Sequence, residues 1–208
     1  MRRLFDLDCN PDLIYDTLQK MNEHRPGLCV PGTRVPGCFD AFETSVRAIL
    51  GQQITVRAAS TLAGRLAERF GAPVETGIEG LTRTFPGAED ILALGDGIQE
   101  QFGVLGVISA RSGSIRALAE ALTSGAIDLS LSADPEQEME KLRSLRGIGG
   151  WTAQYIAMRT MGWPDAFLET DVGVRHALPG YSARELLELA EQWRPWRSYA
   201  TVNLWNTL

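Results

Sequence analysis

The segment Leu145-Arg146-Gly147-Ile148-Gly149-Gly150-Trp151-Thr152-Ala153 holds the densest chemistry in the chain. Two helical patterns meet there across about four residues. Gly147 and Gly149 stand where the chain must turn tightly and approach another surface without a Cβ, and Ile148 between them has the character of a buried anchor. A helix beginning at Gly149 or Gly150 would turn its unpaired backbone N–H groups outward, an anion site that needs no lysine. A phosphate is the natural guest. An ordinary helix–helix turn has the same glycine spacing, so Gly-x-Gly alone does not decide between the two. Trp151 and Tyr155, four residues apart, share a helix face; taken alone they read as core. Asp171, 22 residues after Gly149, opens another helical pattern, where an aspartate is at home as a plain N-cap.

The charge balance weighs against a protein that coats nucleic acid electrostatically, because the formal net charge is −6 and the pI near 5.0. The charges are unevenly spread. Residues 1–140 carry 12 Lys/Arg against 20 Asp/Glu, and residues 141–208 carry 8 against 6. Any DNA contact is therefore expected in the C-terminal third, partly through uncharged donors and with little counterion release. Cys9, Cys29 and Cys38 are odd in number and widely spaced, which excludes a disulfide framework, a Cys-x-x-Cys zinc site and a four-cysteine iron–sulfur loop. His24 and His176 read as structural or surface residues. With 44% hydrophobic residues and no apolar run approaching the roughly 18 that cross a bilayer, the chain reads as globular, with no membrane span. The charged stretch Met1 to Asp8 lacks the apolar content of a secretory signal, so a cytoplasmic location is expected.

Helical periodicity must position these residues, since strand signals are scarce. Asn10-Pro11 opens one amphipathic stretch, and Asp40 caps another whose Phe42, Val46, Ile49 and Leu50 form a buried stripe. Val56 to Phe70 repeats the pattern before Gly71 stops it. Gly and Pro dominate Ala72 to Gly106, leaving short turns such as Ala88 to Leu94. Further helices are predicted from Ser109 to Leu122, Pro135 to Leu145, Gly150 to Met161, Asp171 to Leu178, Ser182 to Trp193, and from Trp196 onward. The expected architecture is all-α, with about ten short helices and no repeat.

Leu145-x-Gly147-Ile148-Gly149-x-x-Thr152-Ala153 resembles the helix-hairpin-helix motif of DNA repair proteins. The likeness continues through Trp151-Thr152-Ala153-Gln154-Tyr155, Phe167-Leu168-Glu169-Thr170-Asp171 and Trp193-Arg194-Pro195-Trp196-Arg197-Ser198-Tyr199-Ala200. Upstream it takes in Arg3 to Leu7, Phe39 to Glu43 and Val46 to Gln52. Together these landmarks resemble, in order, the catalytic core of AlkA-type 3-methyladenine DNA glycosylases II. The resemblance implies a two-lobed helix-hairpin-helix glycosylase core, one lobe near 40–140 and the other from 1–39 with 141–208, with the active-site cleft between them. The family's N-terminal β lobe finds no counterpart in these residues, as in a fragment or one part of a longer, Ada-type fusion.

The resemblance also implies roles. Asp171 becomes the catalytic carboxylate, at a helix start beside Thr170. Trp151, Tyr155 and Trp205 become the walls of an aromatic slot for a flipped purine. A purine methylated at N3 or N7 is cationic, and such a slot favours it by about 0.5–2 kcal/mol of cation–π attraction. Because a cationic base leaves easily, one carboxylate can suffice where neutral leaving groups usually want an acid and a base. Gln53 takes the wedge position, where an apolar residue is known in the family. DNA contacts fall to Arg146, Gly147, Gly149, Gly150 and Thr152, Arg146 standing where proline is usual. The carbonyls of Arg143, Leu145 and Gly147 would hold a monovalent cation, Na⁺ or K⁺. No other cofactor is implied. The chain has only Lys20 and Lys141, and Trp151 stands where bifunctional relatives place a Schiff-base lysine, so imine-based lyase chemistry is not expected. The expected function is monofunctional excision of alkylated purines from double-stranded DNA by a monomer. The competing reading is a non-enzymatic helix-hairpin-helix DNA-binding module of a larger regulatory protein. A third, weaker one is a glycosylase for oxidised bases or uracil.

Overall fold

The computed structural model describes residues 1–207. It is all-α: α1 (Pro11–Leu18), α2 (Ala41–Leu50), α3 (Val56–Phe70), α4 (Ala88–Leu92), α5 (Ile98–Gly103), α6 (Ser109–Thr123), α7 (Pro135–Ser144), α8 (Gly150–Ile156), α9 (Val172–Ala177), α10 (Ala183–Ala190) and α11 (Arg197–Trp205). Among the described residues the only β pairing is an isolated bridge between Pro73 and Arg83, in the Gly- and Pro-rich stretch. No described helix is long and apolar enough to cross a membrane. The chain forms two compact units, one from residues 1–39, 130–135 and 153–208, the other from 40–129 and 136–152.

In the second unit, helix starts are set by side chains that accept orphan amides. Asp40 Oδ1 takes the Glu43 N–H at 2.6 Å, and Thr55 Oγ1 takes that of Ala58 at 3.2 Å. The apolar stripes then meet: α6 packs against α2, α4 and α5, and α2 against α3. Ile49, Leu50, Leu66, Phe102, Ile115 and Leu118 are fully buried, and each such side chain contributes about 1.5–3 kcal/mol by leaving water. Residues 136–152 join this unit through polar ties. Glu138 Oε2 accepts from the Asp128 N–H at 2.9 Å, and Ser114 Oγ donates to the Arg146 carbonyl at 2.8 Å. The segment 136–152 thus packs with residues 40–129.

In the first unit, Asn10 Oδ1 accepts from the Asp12 and Leu13 amides, each at 3.2 Å, with Pro11 at the first helical position. Leu18, Met21, Leu28, Phe167, Trp193 and Leu204 form its core. Asn203 Oδ1 joins the N-terminal segment to α11 by accepting from Val30 N–H and Thr33 Oγ1, both at 2.9 Å. Asp165 and Arg197 make a two-pronged ion pair at 2.8 and 2.9 Å, with side chains only 11% and 8% exposed. The helix predicted from Gly150 to Met161 changes pitch. After Ile156 the chain widens into a π-turn over Ala157–Met161, where Thr160 Oγ1 donates to the Ile156 carbonyl at 2.7 Å and competes with the regular ladder. Gly162, at φ +67°, ends it.

Candidate active site

The hairpin between α7 and α8 lies in the second unit. Leu145 C=O accepts from the Ile148 N–H at 3.1 Å, closing the turn, and Ile148 is 4% exposed, the anchor its spacing predicts. Gly147 adopts φ +86°, and a Cβ there would fall 2.2 Å from Ser114 Oγ. Both the conformation and the close approach require glycine. At Gly149 and Gly150, by contrast, nothing lies within 4 Å of where a Cβ would project, so the backbone stands open at the start of α8.

Gln52 pins this hairpin to the loop after α2. Its Nε2 donates to the Gly147 carbonyl at 2.9 Å and to Thr152 Oγ1 at 3.0 Å. Thr152 is 3% exposed, so its hydroxyl serves this internal tie; only its backbone is left for the DNA contact expected of it. Arg111 holds the Gln52 carbonyl in turn. Gln53, next along, is exposed and left-handed at φ +56°, a conformation non-glycine residues seldom adopt. Arg146 is exposed, and Arg143 pairs with Glu140 at 3.0 Å.

Beside the Gln52–Gln53 loop an open groove of about 480 Å³ is lined by Ile54, Thr55, Arg57, Arg65, Gly106 and Arg111, among others, with no carboxylate. Arg65 Nη1 is fixed on the Leu105 carbonyl at 2.9 Å. Sequence reasoning missed this cluster. Charge counted along the chain made residues 1–140 acidic, whereas folding gathers three of that stretch's arginines on one face.

In the first unit, Asp171 is the N-cap of α9, and three donors converge on its Oδ1: Gly173 N–H at 2.8 Å, Val174 N–H at 3.2 Å and Trp205 Nε1 at 2.8 Å. The cap and the candidate catalytic carboxylate are one residue. Trp205 ends α11, which packs on α9, so its indole is delivered by helix packing. The Tyr155 and Trp205 rings lie 6.5 Å apart, tilted by 47°. The guanidinium of Arg159 sits over the Tyr155 ring at 5.9 Å. Asp171, Tyr155 and Trp205 are thus brought together, all half-buried. Trp151 occupies the first turn of α8, four residues before Tyr155, and is grouped with the other unit.

Residues 1–40 match the AlkA N-terminal domain family. DNA-3-methyladenine glycosylase 2 of Escherichia coli is 37% identical over 207 residues, spanning all of this chain and 70% of that protein. The chain belongs to the AlkA-type 3-methyladenine DNA glycosylase family. A second AlkA-type relative, the Mycobacterium tuberculosis protein named "Probable bifunctional transcriptional activator/DNA repair enzyme AlkA", is 41% identical over 213 residues, and this chain spans 42% of its length. Among solved structures, the 3-methyladenine DNA glycosylase of Archaeoglobus fulgidus superposes with a TM-score of 0.71 at 26% identity, covering 98% of this chain and 71% of that one. The AlkA-type fold is therefore the helix-hairpin-helix glycosylase fold that the motif series implied.

Proposed function

We propose that this chain hydrolyses the N-glycosidic bond of alkylated purines in double-stranded DNA, in base-excision repair, as a monofunctional and monomeric enzyme of the cytoplasm. The observation that carries the proposal is Asp171, held by three donors on one oxygen beside the Tyr155 and Trp205 rings. The names of its relatives favour an enzyme over a DNA-binding module without catalysis.

The chemistry follows from charge. A purine alkylated at N3 or N7 is cationic and is drawn to aromatic faces. When the bond from C1′ to N9 breaks, its electron pair leaves with the base, which becomes neutral, and positive charge moves to the sugar. A carboxylate already oriented by Gly173, Val174 and Trp205 stabilises that charge without reorganising. Water then bonds to C1′, and its proton passes to the solvent. Lyase chemistry would need an amine to form an imine. Of the two lysines, Lys141 is engaged with Glu138 at 2.7 Å, and Lys20 lies on the turn that follows α1.

DNA contacts divide between the open backbone at Gly149 and Gly150, the exposed Gln53 and Arg146, and the arginine-lined groove. Flipping costs a few kcal/mol, least at damaged pairs. The carbonyls of Arg143, Leu145 and Gly147 suit a hard monovalent cation. The Leu145 and Gly147 oxygens each accept one hydrogen bond, from Ile148 N–H and Gln52 Nε2, and keep a lone pair. Such an ion would supply positive charge toward a phosphate.

The test is chromatography of bases released from methylated duplex DNA by the wild type and by Asp171→Asn. Release near background with DNA binding retained is expected of the variant; normal turnover would refute the proposal.

A further inference from the structure

Arg159 is half-buried, with its guanidinium over the Tyr155 ring. Its Nε is buried with no hydrogen-bond partner among the described residues. A polar atom buried without a hydrogen-bond partner costs free energy, and few native groups carry that cost without a local role. What it does touch is the face of Tyr155, 5.9 Å from the ring centroid. Tyr155 in turn neighbours Trp205, whose indole N–H is on Asp171 at 2.8 Å. Arg159 also lies inside the π-turn Ala157–Met161, a local widening of the kind that recurs at functional sites.

We propose that Arg159 is a positioning residue that acts through Tyr155, setting a fixed positive charge behind the base slot so that the slot favours a purine as it departs. This rests on the reading of Tyr155 as a wall of that slot. As the glycosidic bond breaks, the base gains the bonding electron pair. A cationic alkylated purine goes from one positive charge toward none, and a neutral purine goes from none toward one negative charge. A cation behind the ring favours both changes, but at different points along the reaction. With a cationic base it raises the bound ground state and leaves the transition state nearly untouched. With a neutral base it leaves the ground state untouched and lowers the transition state. At a separation of about 9 Å, an effective dielectric near 20 and partial charge transfer, the effect is about five- to tenfold in rate.

The test uses Arg159→Met, Arg159→Gln and Arg159→Lys in single-turnover excision of 7-methylguanine (cationic) and hypoxanthine (neutral) from otherwise identical duplexes. Thermal melting selects the neutral variant that folds like the wild type. For 7-methylguanine, the neutral variant should lower the maximal rate and the half-saturating concentration together, by about five- to tenfold, leaving their ratio unchanged. For hypoxanthine the maximal rate should fall at constant half-saturation. Arg159→Lys should restore both patterns. A merely structural arginine would slow both substrates alike without tightening binding of the cationic base, and that result, or no change, would overturn the proposal while leaving the glycosylase reading standing. A wild type that releases neither base would overturn both.

Discussion

Gly147→Ala, combined with Ser114→Ala, probes the hairpin most sharply. An alanine at φ +86° costs roughly 1–2 kcal/mol of backbone strain. Its Cβ would also sit 2.2 Å from Ser114 Oγ, well inside contact distance. Relieving that overlap by local movement costs about 1–3 kcal/mol more, so the single variant should lose about 2–5 kcal/mol. Ser114→Ala alone removes the hydroxyl that reaches the Ala110 and Arg146 carbonyls, at 3.0 and 2.8 Å, and should cost about 1 kcal/mol. In the double variant the Oγ is gone, and the nearest remaining atom is the residue 114 Cβ at 3.4 Å, an ordinary contact. Strain and the lost hydrogen bond remain while the overlap disappears, so the two changes should couple favourably by about 1–3 kcal/mol. Urea unfolding of the wild type, both single variants and the double variant measures this, provided the slopes agree. Additivity within about 0.5 kcal/mol would mean that Ser114 does not press on the hairpin at Gly147, and the steric argument would fall.

Three further outcomes are expected. Trp205→Phe keeps an aromatic ring but deletes the donor to Asp171, so single-turnover base release should slow about 10- to 100-fold; an unchanged rate would mean the indole N–H does not orient the carboxylate. Asp165→Asn removes the buried, two-pronged partner of Arg197 and leaves it only the exposed Glu191 at 3.3 Å, so it should destabilise the fold by about 3 kcal/mol, read as a lowered unfolding midpoint. Arg57→Ala should weaken binding to duplexes of any sequence and reduce the slope of log affinity against log salt by about one, and an unchanged slope would take the groove out of contact with phosphate.

How much of this was legible in the sequence depended on how local the cause was. The hairpin was readable because Gly147 answers a demand of backbone geometry within a few residues, met by its φ and the buried Ile148, whereas Gly149, expected to face the same demand, has neither a positive φ nor a neighbour within 4 Å of a Cβ. Asp171 was readable as a cap, because a side chain at that position accepts amides whatever else it does. The π-turn was hidden: an amphipathic pattern from Gly150 to Met161 looks the same whether the carbonyl of Ile156 serves the helix or Thr160 Oγ1. The arginine groove was hidden more deeply. Arg57, Arg65 and Arg111 come from a stretch rich in carboxylates, and only tertiary packing segregates them. The Asp165–Arg197 pair, 32 residues apart, is likewise a product of folding alone.

The interleaving of the two units along the chain has a consequence for synthesis. Residues 40–129 leave the ribosome as one nearly continuous stretch, and helices α2 to α6 find their partners early. Residues 1–39 have no such fortune, since Val30 and Thr33 are anchored by Asn203. At about 5–20 residues per second, the opening segment waits roughly 10–30 s for the closing one. During that wait Val30 and Thr33 lack the side chain that anchors them, and a nascent chain stalled before α11 would leave the opening segment without the later residues of its own unit.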